Sequence, residues 1–182
     1  MGHSLGAHVS AFAAKNLQQS AGYGNISLLI GADPASPGYI FKDCKDRFCN
    51  TDAKRVVALH TSMIGLQKSL GHLDLWFNNG LGQPACGVSI INDLNFFCSH
   101  IILLKYMANM LKDDCVFIGN PVPRRTNLLA SIQPGCSSSR TDCIVVDNRI
   151  FDPNYSVKGD YCVSVSPKVP YCYTKNKINC QK

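Results

Sequence analysis

The chain opens with Met1-Gly2-His3-Ser4-Leu5-Gly6-Ala7-His8, and within it Gly2-x-Ser4-x-Gly6 has the spacing of a nucleophile elbow. In an elbow the serine sits on a strained turn between a strand and a helix. Small flanking residues let the backbone cross tightly, so that the hydroxyl points into a site. The helix is legible downstream. Leu5, Val9, Phe12, Ala13 and Leu17 recur at spacings of four, three, one and four, which predicts one apolar helical face. Gly6, Ala7, Ala11 and Ala14 are small enough for close approach to a sheet, and Gly22-Tyr23-Gly24 ends the helix. Leu5 begins it, so its backbone N–H points to the serine side and can donate to an oxyanion. No strand precedes the elbow, so the chain is expected to be the second half of a larger domain.

Composition narrows the class. With 182 residues and 46% hydrophobic content the chain can bury one sizeable core. Its net charge of +6 is spread among acids, and no Lys/Arg run exceeds two residues. That pattern is a solvated surface with mild attraction to anionic lipid, and it excludes a nucleic-acid footprint. No apolar run approaches the ~20 residues of a membrane span. Ten cysteines, none in a CxxC pair, favour an oxidising compartment and a secreted, extracellular protein. Two sequons, Asn25-Ile26-Ser27 and Asn154-Tyr155-Ser156, are compatible with that. Yet Met1 leads straight into the elbow with no signal peptide, a second reason to expect a missing amino-terminal part.

Along the chain, Ile26 to Ile30 is an uninterrupted apolar run suited to a parallel strand buried on both faces. Gly31-Ala32-Asp33-Pro34 follows and puts Asp33 at the strand's carboxyl end, where open α/β sheets carry their catalytic groups. Residues 35–54 read as a loop, Val56 to Thr61 and His72 to Phe77 as strands, Asn78-Asn79-Gly80 as a turn and 81–98 as a loop. Ser99 is read as the N-cap of a helix running to Leu111. The tail holds six cysteines from Cys115, a Ser137-Ser138-Ser139 turn and β-like runs at Cys143–Val146 and Tyr161–Ser166. The expected fold class is α/β, the carboxyl-terminal half of an α/β-hydrolase fold. Residues 1–122 would belong to the hydrolase domain, and 123–182 would be a disulfide-rich tail packed on it.

Acyl transfer needs a serine, a histidine base and a carboxylate that holds the imidazole tautomer, and on an α/β-hydrolase they follow in the order Ser, Asp or Glu, His. Ser4, Asp33 and His100 satisfy that order. Of the five histidines, His3 and His8 are too close to Ser4 along the chain. His60 and His72 lie in or at the start of apolar strands, where a histidine is ordinarily a core residue satisfied by a backbone group. His100 stands between a loop and a helix, the place expected for the base.

The ordered segments Gly2-His3-Ser4-Leu5-Gly6-Ala7-His8, Gly31-Ala32-Asp33-Pro34-Ala35-x-Pro37, Asp52-Ala53-Lys54 through Leu59-His60-Thr61, Gly71-His72-Leu73-Asp74, Gln83-Pro84-x-Cys86 and Cys98-Ser99-His100 resemble the pancreatic lipase superfamily. Cys98-Ser99-His100 with Lys105-Tyr106, Cys115-x-x-Ile118-Gly119-x-Pro121 and Pro170-Tyr171-Cys172 are similar to its insect, venom-type phospholipase A1 branch. The resemblance implies Ser4 as nucleophile, Asp33 as orienting acid, His100 as base and then acid, and the Leu5 N–H as one oxyanion donor. The second donor would come from the absent amino-terminal half, so residues 1–182 alone are expected to be inactive. It also implies disulfides Cys44–Cys49 and Cys86–Cys98, each closing a short loop, and leaves fifteen connectivities for the other six cysteines.

Two loops bear on the substrate. Gly87 to Phe97 would be a lid of only eleven residues, with an apolar cluster of Val88, Ile90, Ile91, Leu94, Phe96 and Phe97; nine residues separate Thr61 from Gly71 in a second loop. In the resembled superfamily the triacylglycerol lipases carry longer, apolar versions of both loops and short ones leave the cleft open to a polar headgroup, so the resemblance implies a phospholipase hydrolysing the sn-1 acyl ester at a lipid–water interface. A triacylglycerol lipase of the same fold, a non-catalytic yolk-protein-like relative and a truncated product are the alternatives. Asp52 matches one acidic position of a calcium site in some relatives, but the Cys44–Cys49 segment replaces its neighbours. No metal and no cofactor is expected, and the complete protein is expected to be monomeric.

Overall fold

The computed structural model describes residues 1–20, 22, 24–87, 93–112, 114–126, 136, 142–174 and 180. Tyr23 of the helix-ending turn, the lid residues Val88, Ile90 and Ile91, the Leu94 side chain and the Ser137–Ser139 turn lie outside the described residues.

The strands are β1 (Gly2–His3), β2 (Leu28–Ala32), β3 (Arg55–His60), β4 (Leu73–Phe77), β5 (Cys115–Val122), β6 (Ile144–Val146), β7 (Gly159–Ser164) and β8 (Tyr173–Thr174). The helices are α1 (Leu5–Gln19), α2 (Asp93–Ile101) and α3 (Leu103–Met110). The strands form one sheet in the order β1-β2-β3-β4-β7-β5-β6, with β8 paired to the start of β5. The run from β1 to β7 is parallel, and β5 joins it antiparallel. Among the described residues, 123–182 therefore supply three strands, with β7 inserted between β4 and β5.

The layering follows from strand alternation. Val57 and Leu59 of β3 pack with Leu103, Tyr106 and Met110 of α3 and with Phe117 and Val163. Val56 and Ala58, the intervening residues, pack with Ala7, Ala11 and Ala14 of α1 and with Phe48, Leu66 and Leu70. Every residue of β3 and β4 is buried, as apolar runs in a sheet covered on both faces should be.

Several elements differ from expectation. The α1 face against the sheet is the alanine face, while Leu5 is 55% and Val9 67% exposed and Phe12 is exposed as well. The cause is distance of approach. A Cβ on Gly2 would lie 2.1 Å from the Gly6 carbonyl oxygen and 2.5 Å from Ser10 Oγ, so the elbow presses α1 against β1 and admits only small side chains. Gly2 is obligatory for that crossing; a Cβ on Gly6 would meet nothing within 4 Å. Strand β2 starts two residues later than expected, because the carbonyls of Ile26 and Ser27 accept from Lys54 and Arg55 before the ladder proper begins. The helix assigned to Ser99–Leu111 is two helices, and α2 begins at Asp93, inside the expected loop. Ser99 does not cap it. Its Oγ is turned inward and accepts from the Gln83 N–H (2.9 Å). Strands β1, β5 and β8 have no counterpart among the runs read from the sequence.

Both expected disulfides, Cys44–Cys49 and Cys86–Cys98, are formed. The remaining six cysteines pair as Cys115–Cys172, Cys136–Cys162 and Cys143–Cys180. Among the described residues no helix is long and apolar enough to cross a membrane.

Candidate active site

The carboxyl ends of the parallel strands carry the site. Ser4 follows β1 directly and takes φ 58° and ψ −128°, a left-handed, sparsely populated conformation for a serine. The turn is held from both sides: the Ser4 N–H donates to Ala32 O (2.9 Å), and Ser4 O accepts from Ala7 (3.1 Å) and Ala35 (3.3 Å). Leu5 is the first residue of α1, so its N–H is one of the amides at a helix start that have no intrahelical acceptor.

Asp33 follows β2 with φ 46° and is fully buried. A buried carboxylate must be saturated with donors, and this one is. Oδ1 accepts from the N–H groups of Thr61 (3.0 Å) and Ser62 (3.4 Å). Oδ2 accepts from Ser62 Oγ (2.5 Å) and from His100 Nδ1 (2.7 Å). Holding Nδ1 as the donor leaves His100 Nε2 as the acceptor.

The structure thus brings Asp33 and His100 together. Ser4 reaches them through its neighbours: His3 Nε2 donates to His100 O (3.0 Å), and the His3 and His100 rings lie 4.5 Å apart. No hydrogen bond joins Ser4 Oγ to His100 among the described residues; in unliganded sites this contact is commonly longer than in the substrate complex.

Four further residues shape the site and were not singled out for it by the sequence. Ser62 adds a hydroxyl donor to the Asp33 oxygen that His100 uses, and itself accepts from the Ile64 N–H (3.2 Å). Gly65 packs on the carboxylate so closely that a Cβ there would lie 2.3 Å from Asp33 Oδ1. Gln83, 1% exposed, donates to Thr61 O and Phe77 O (2.8 Å each), and its N–H bonds Ser99. It thereby ties the ends of β3 and β4 to the helix that carries His100. His3, set aside as a base, holds the His100 backbone. The only sequence signal was that Gln83 and His3 lie inside the quoted motifs.

The other histidines are structural. His8 is buried, donates from Nε2 to Ala35 O (2.9 Å), accepts the Phe48 N–H at Nδ1 and stacks on Tyr39 (3.6 Å). Burial lowers its pKa below the ordinary 6.5, against the raising effect of the Ala35 bond. His72 Nδ1 accepts the Val56 N–H (3.0 Å), the backbone partner expected, and burial lowers its pKa too. His60 takes a side-chain partner in place of the backbone group expected: Nε2 pairs with the buried Asp74 carboxylate (2.9 Å) and the ring stacks on Trp76. Asp52 is occupied by Lys15 and the Cys49 N–H. Among the described residues no group of three or more His, Cys, Asp or Glu side chains is placed to hold a metal ion.

The sequence model of the Lipase family matches residues 1–171. A protein named Phospholipase A1 from Dinoponera quadriceps is 43% identical over 100% of this chain and 47% of its own length. Proteins named Phospholipase A1 from Vespa crabro and Vespa basalis are 40% and 39% identical over 98% of this chain, covering 56% and 55% of theirs. The chain spans about half the length of the curated relatives it matches.

Proposed function

The chain belongs to the Lipase family, a family of lipolytic hydrolases, and from that we propose that it carries the catalytic triad of a secreted phospholipase A1. Ser4 Oγ attacks the sn-1 ester carbonyl of a phospholipid while His100 Nε2 takes its proton. Asp33 keeps Nδ1–H oriented and balances the imidazolium that forms. The Leu5 N–H donates to the oxyanion. The tetrahedral intermediate collapses, His100 passes its proton to the leaving oxygen of the lysophospholipid, and a water activated by His100 then releases the fatty acid from Ser4.

The observation that carries this reading is the Asp33–His100 hydrogen bond on the strand edge where Ser4 is held in a strained turn. The relatives' printed names support the phospholipid as substrate, as do the nine residues between Thr61 and Gly71. Five disulfides with no free cysteine support secretion.

The test uses the complete polypeptide carrying residues 1–182. It should release the sn-1 fatty acid from phosphatidylcholine, and Ser4→Ala should abolish both this and fluorophosphonate labelling. Faster turnover of triacylglycerol than of phosphatidylcholine would assign a neutral lipase instead. Residues 1–182 by themselves supply one oxyanion donor and leave β1 at a sheet edge. They should hydrolyse esters at least about 10²–10³-fold more slowly than the complete polypeptide, the cost of one lost donor. Turnover by that piece at the complete polypeptide's rate would refute the need for a second donor outside it.

A further inference from the structure

Phe41 is 94% exposed, and Ile40 beside it is 49% exposed. Such a side chain at a floppy loop tip would mean little, but this loop is braced. The Tyr39 N–H donates to Ser36 O and the Lys42 N–H to Tyr39 O, while Arg47 Nε closes back on Lys42 O (2.9 Å). The Tyr39 ring stacks on buried His8, and the Cys44–Cys49 bond lies just beyond, next to the fully buried Phe48.

The loop rises from the carboxyl end of β2, immediately after Asp33. A second loop, from the carboxyl end of β3, is bonded to it: the Ser36 N–H donates to Ile64 O (2.7 Å) and the Leu66 N–H to Pro34 O (2.8 Å). This second loop contributes Met63, 42% exposed. Ile40, Phe41, Met63 and Leu66 line a mostly apolar cavity of about 320 Å³ between the two loops. Because β1, β2 and β3 are parallel, this apolar tip shares its sheet edge with Ser4 and Asp33.

The rim is cationic. Along the two loops Lys42, Lys45, Arg47 and Lys68 outnumber Asp43 and Asp46, in a chain of net charge +6. Lys68 Nζ donates to Ile40 O (3.3 Å), which ties its ammonium to the tip. Apolar side chains held outward within a basic rim are complementary to an anionic bilayer surface, where the rings enter the acyl boundary and the ammonium groups stay among the phosphates. We propose that the Ile40–Phe41–Met63 tip with its lysine rim is a docking surface for an anionic phospholipid bilayer. It deepens the phospholipase reading and rests on it for the reason such a surface lies beside the site.

The complete polypeptide carrying Ser4→Ala, which removes hydrolysis, is titrated with vesicles of phosphatidylcholine with and without phosphatidylglycerol, and bound protein is measured by flotation. Phe41→Ser should weaken binding to both vesicle types by about tenfold. Lys42→Gln should weaken it by about fivefold, and only where phosphatidylglycerol is present. With Ser4 intact, Phe41→Ser should leave hydrolysis of a soluble short-chain ester unchanged. Its melting temperature should also match the parent's. Parent-like vesicle binding by Phe41→Ser overturns the proposal. So does a fall of its melting temperature, which would mean that the rest of the polypeptide covers the tip. Concentration-dependent dimers that Phe41→Ser abolishes would assign the surface to a second copy. If vesicle binding is lost as described but the Ser4 enzyme spares phosphatidylcholine, the surface stands and the phospholipase reading falls.

Discussion

Replacing Gly65 with alanine isolates what the Asp33 carboxylate contributes. The added Cβ would lie 2.3 Å from Asp33 Oδ1 and 2.9 Å from its Cγ, whereas ordinary van der Waals contact begins at 3.4 Å. Backbone strain is not involved, because Gly65 is not among the residues with positive φ. The carboxylate must move by about 1 Å, and every bond it accepts, from Thr61, Ser62 and His100, is drawn with it. A misplacement of this size in a catalytic array costs about 10²-fold in rate. Loosening hydrogen bonds to a fully buried carboxylate costs about 1–3 kcal/mol of stability. The measurement is kcat and KM of the complete polypeptide on a soluble nitrophenyl ester, with a thermal melt on the same sample. Gly82→Ala is the control, since its Cβ would come no nearer than 4.0 Å to anything, Ser99 Oγ being closest. The expected result is a kcat reduced about 10²-fold, KM little changed and a lowered melting temperature. A Gly65→Ala enzyme with parent-like kcat and stability would show that Asp33 has room to spare and does not orient His100 as described.

Ser62→Ala removes one charge-assisted donor to Asp33 Oδ2 and should lower kcat by about tenfold while leaving KM nearly unchanged; an effect confined to KM would mean that Ser62 acts on substrate. His8 and His72 both have pKa values below the ordinary 6.5 when folded, so the unfolded chain binds their protons first. Stability from these two groups is complete above pH 6.5 and is lost as pH falls from there through their folded values. The urea midpoint should therefore drop between pH 7.5 and pH 6, and drop less in His8→Gln; an equal drop in that variant would contradict the assignment. Cys115–Cys172 closes 57 residues and Cys44–Cys49 only 5, so serine pairs at these positions should cost about 4 and about 2 kcal/mol respectively by loop entropy. Denaturant titrations that rank the two in the opposite order would argue against that account.

Motif order along the chain points to Ser4, Asp33 and His100 as the proposed triad, because an elbow, a strand-end aspartate and a later histidine each leave a local mark. The parallel strands β2 to β4 were legible for a similar reason: a strand buried on both faces must be apolar throughout. Helix α1 shows where such marks stop. Periodicity pointed to Leu5, Val9 and Phe12, yet the sheet received Ala7, Ala11 and Ala14, since the buried face is chosen by how closely two backbones approach and not by which side chains are most apolar. Strands β1 and β8 are two residues long and exist only through their partners, and β5 gains its place from β7, far along the chain. Pairing of the last six cysteines was open for the same reason: it depends on which Cβ atoms the finished sheet brings together. Ser62 and Gly65 carry no sequence signature and Gln83 only its place in a motif, because a hydroxyl, a missing Cβ and a buried amide acquire these contacts only when folding sets them against Asp33 and the helix of His100.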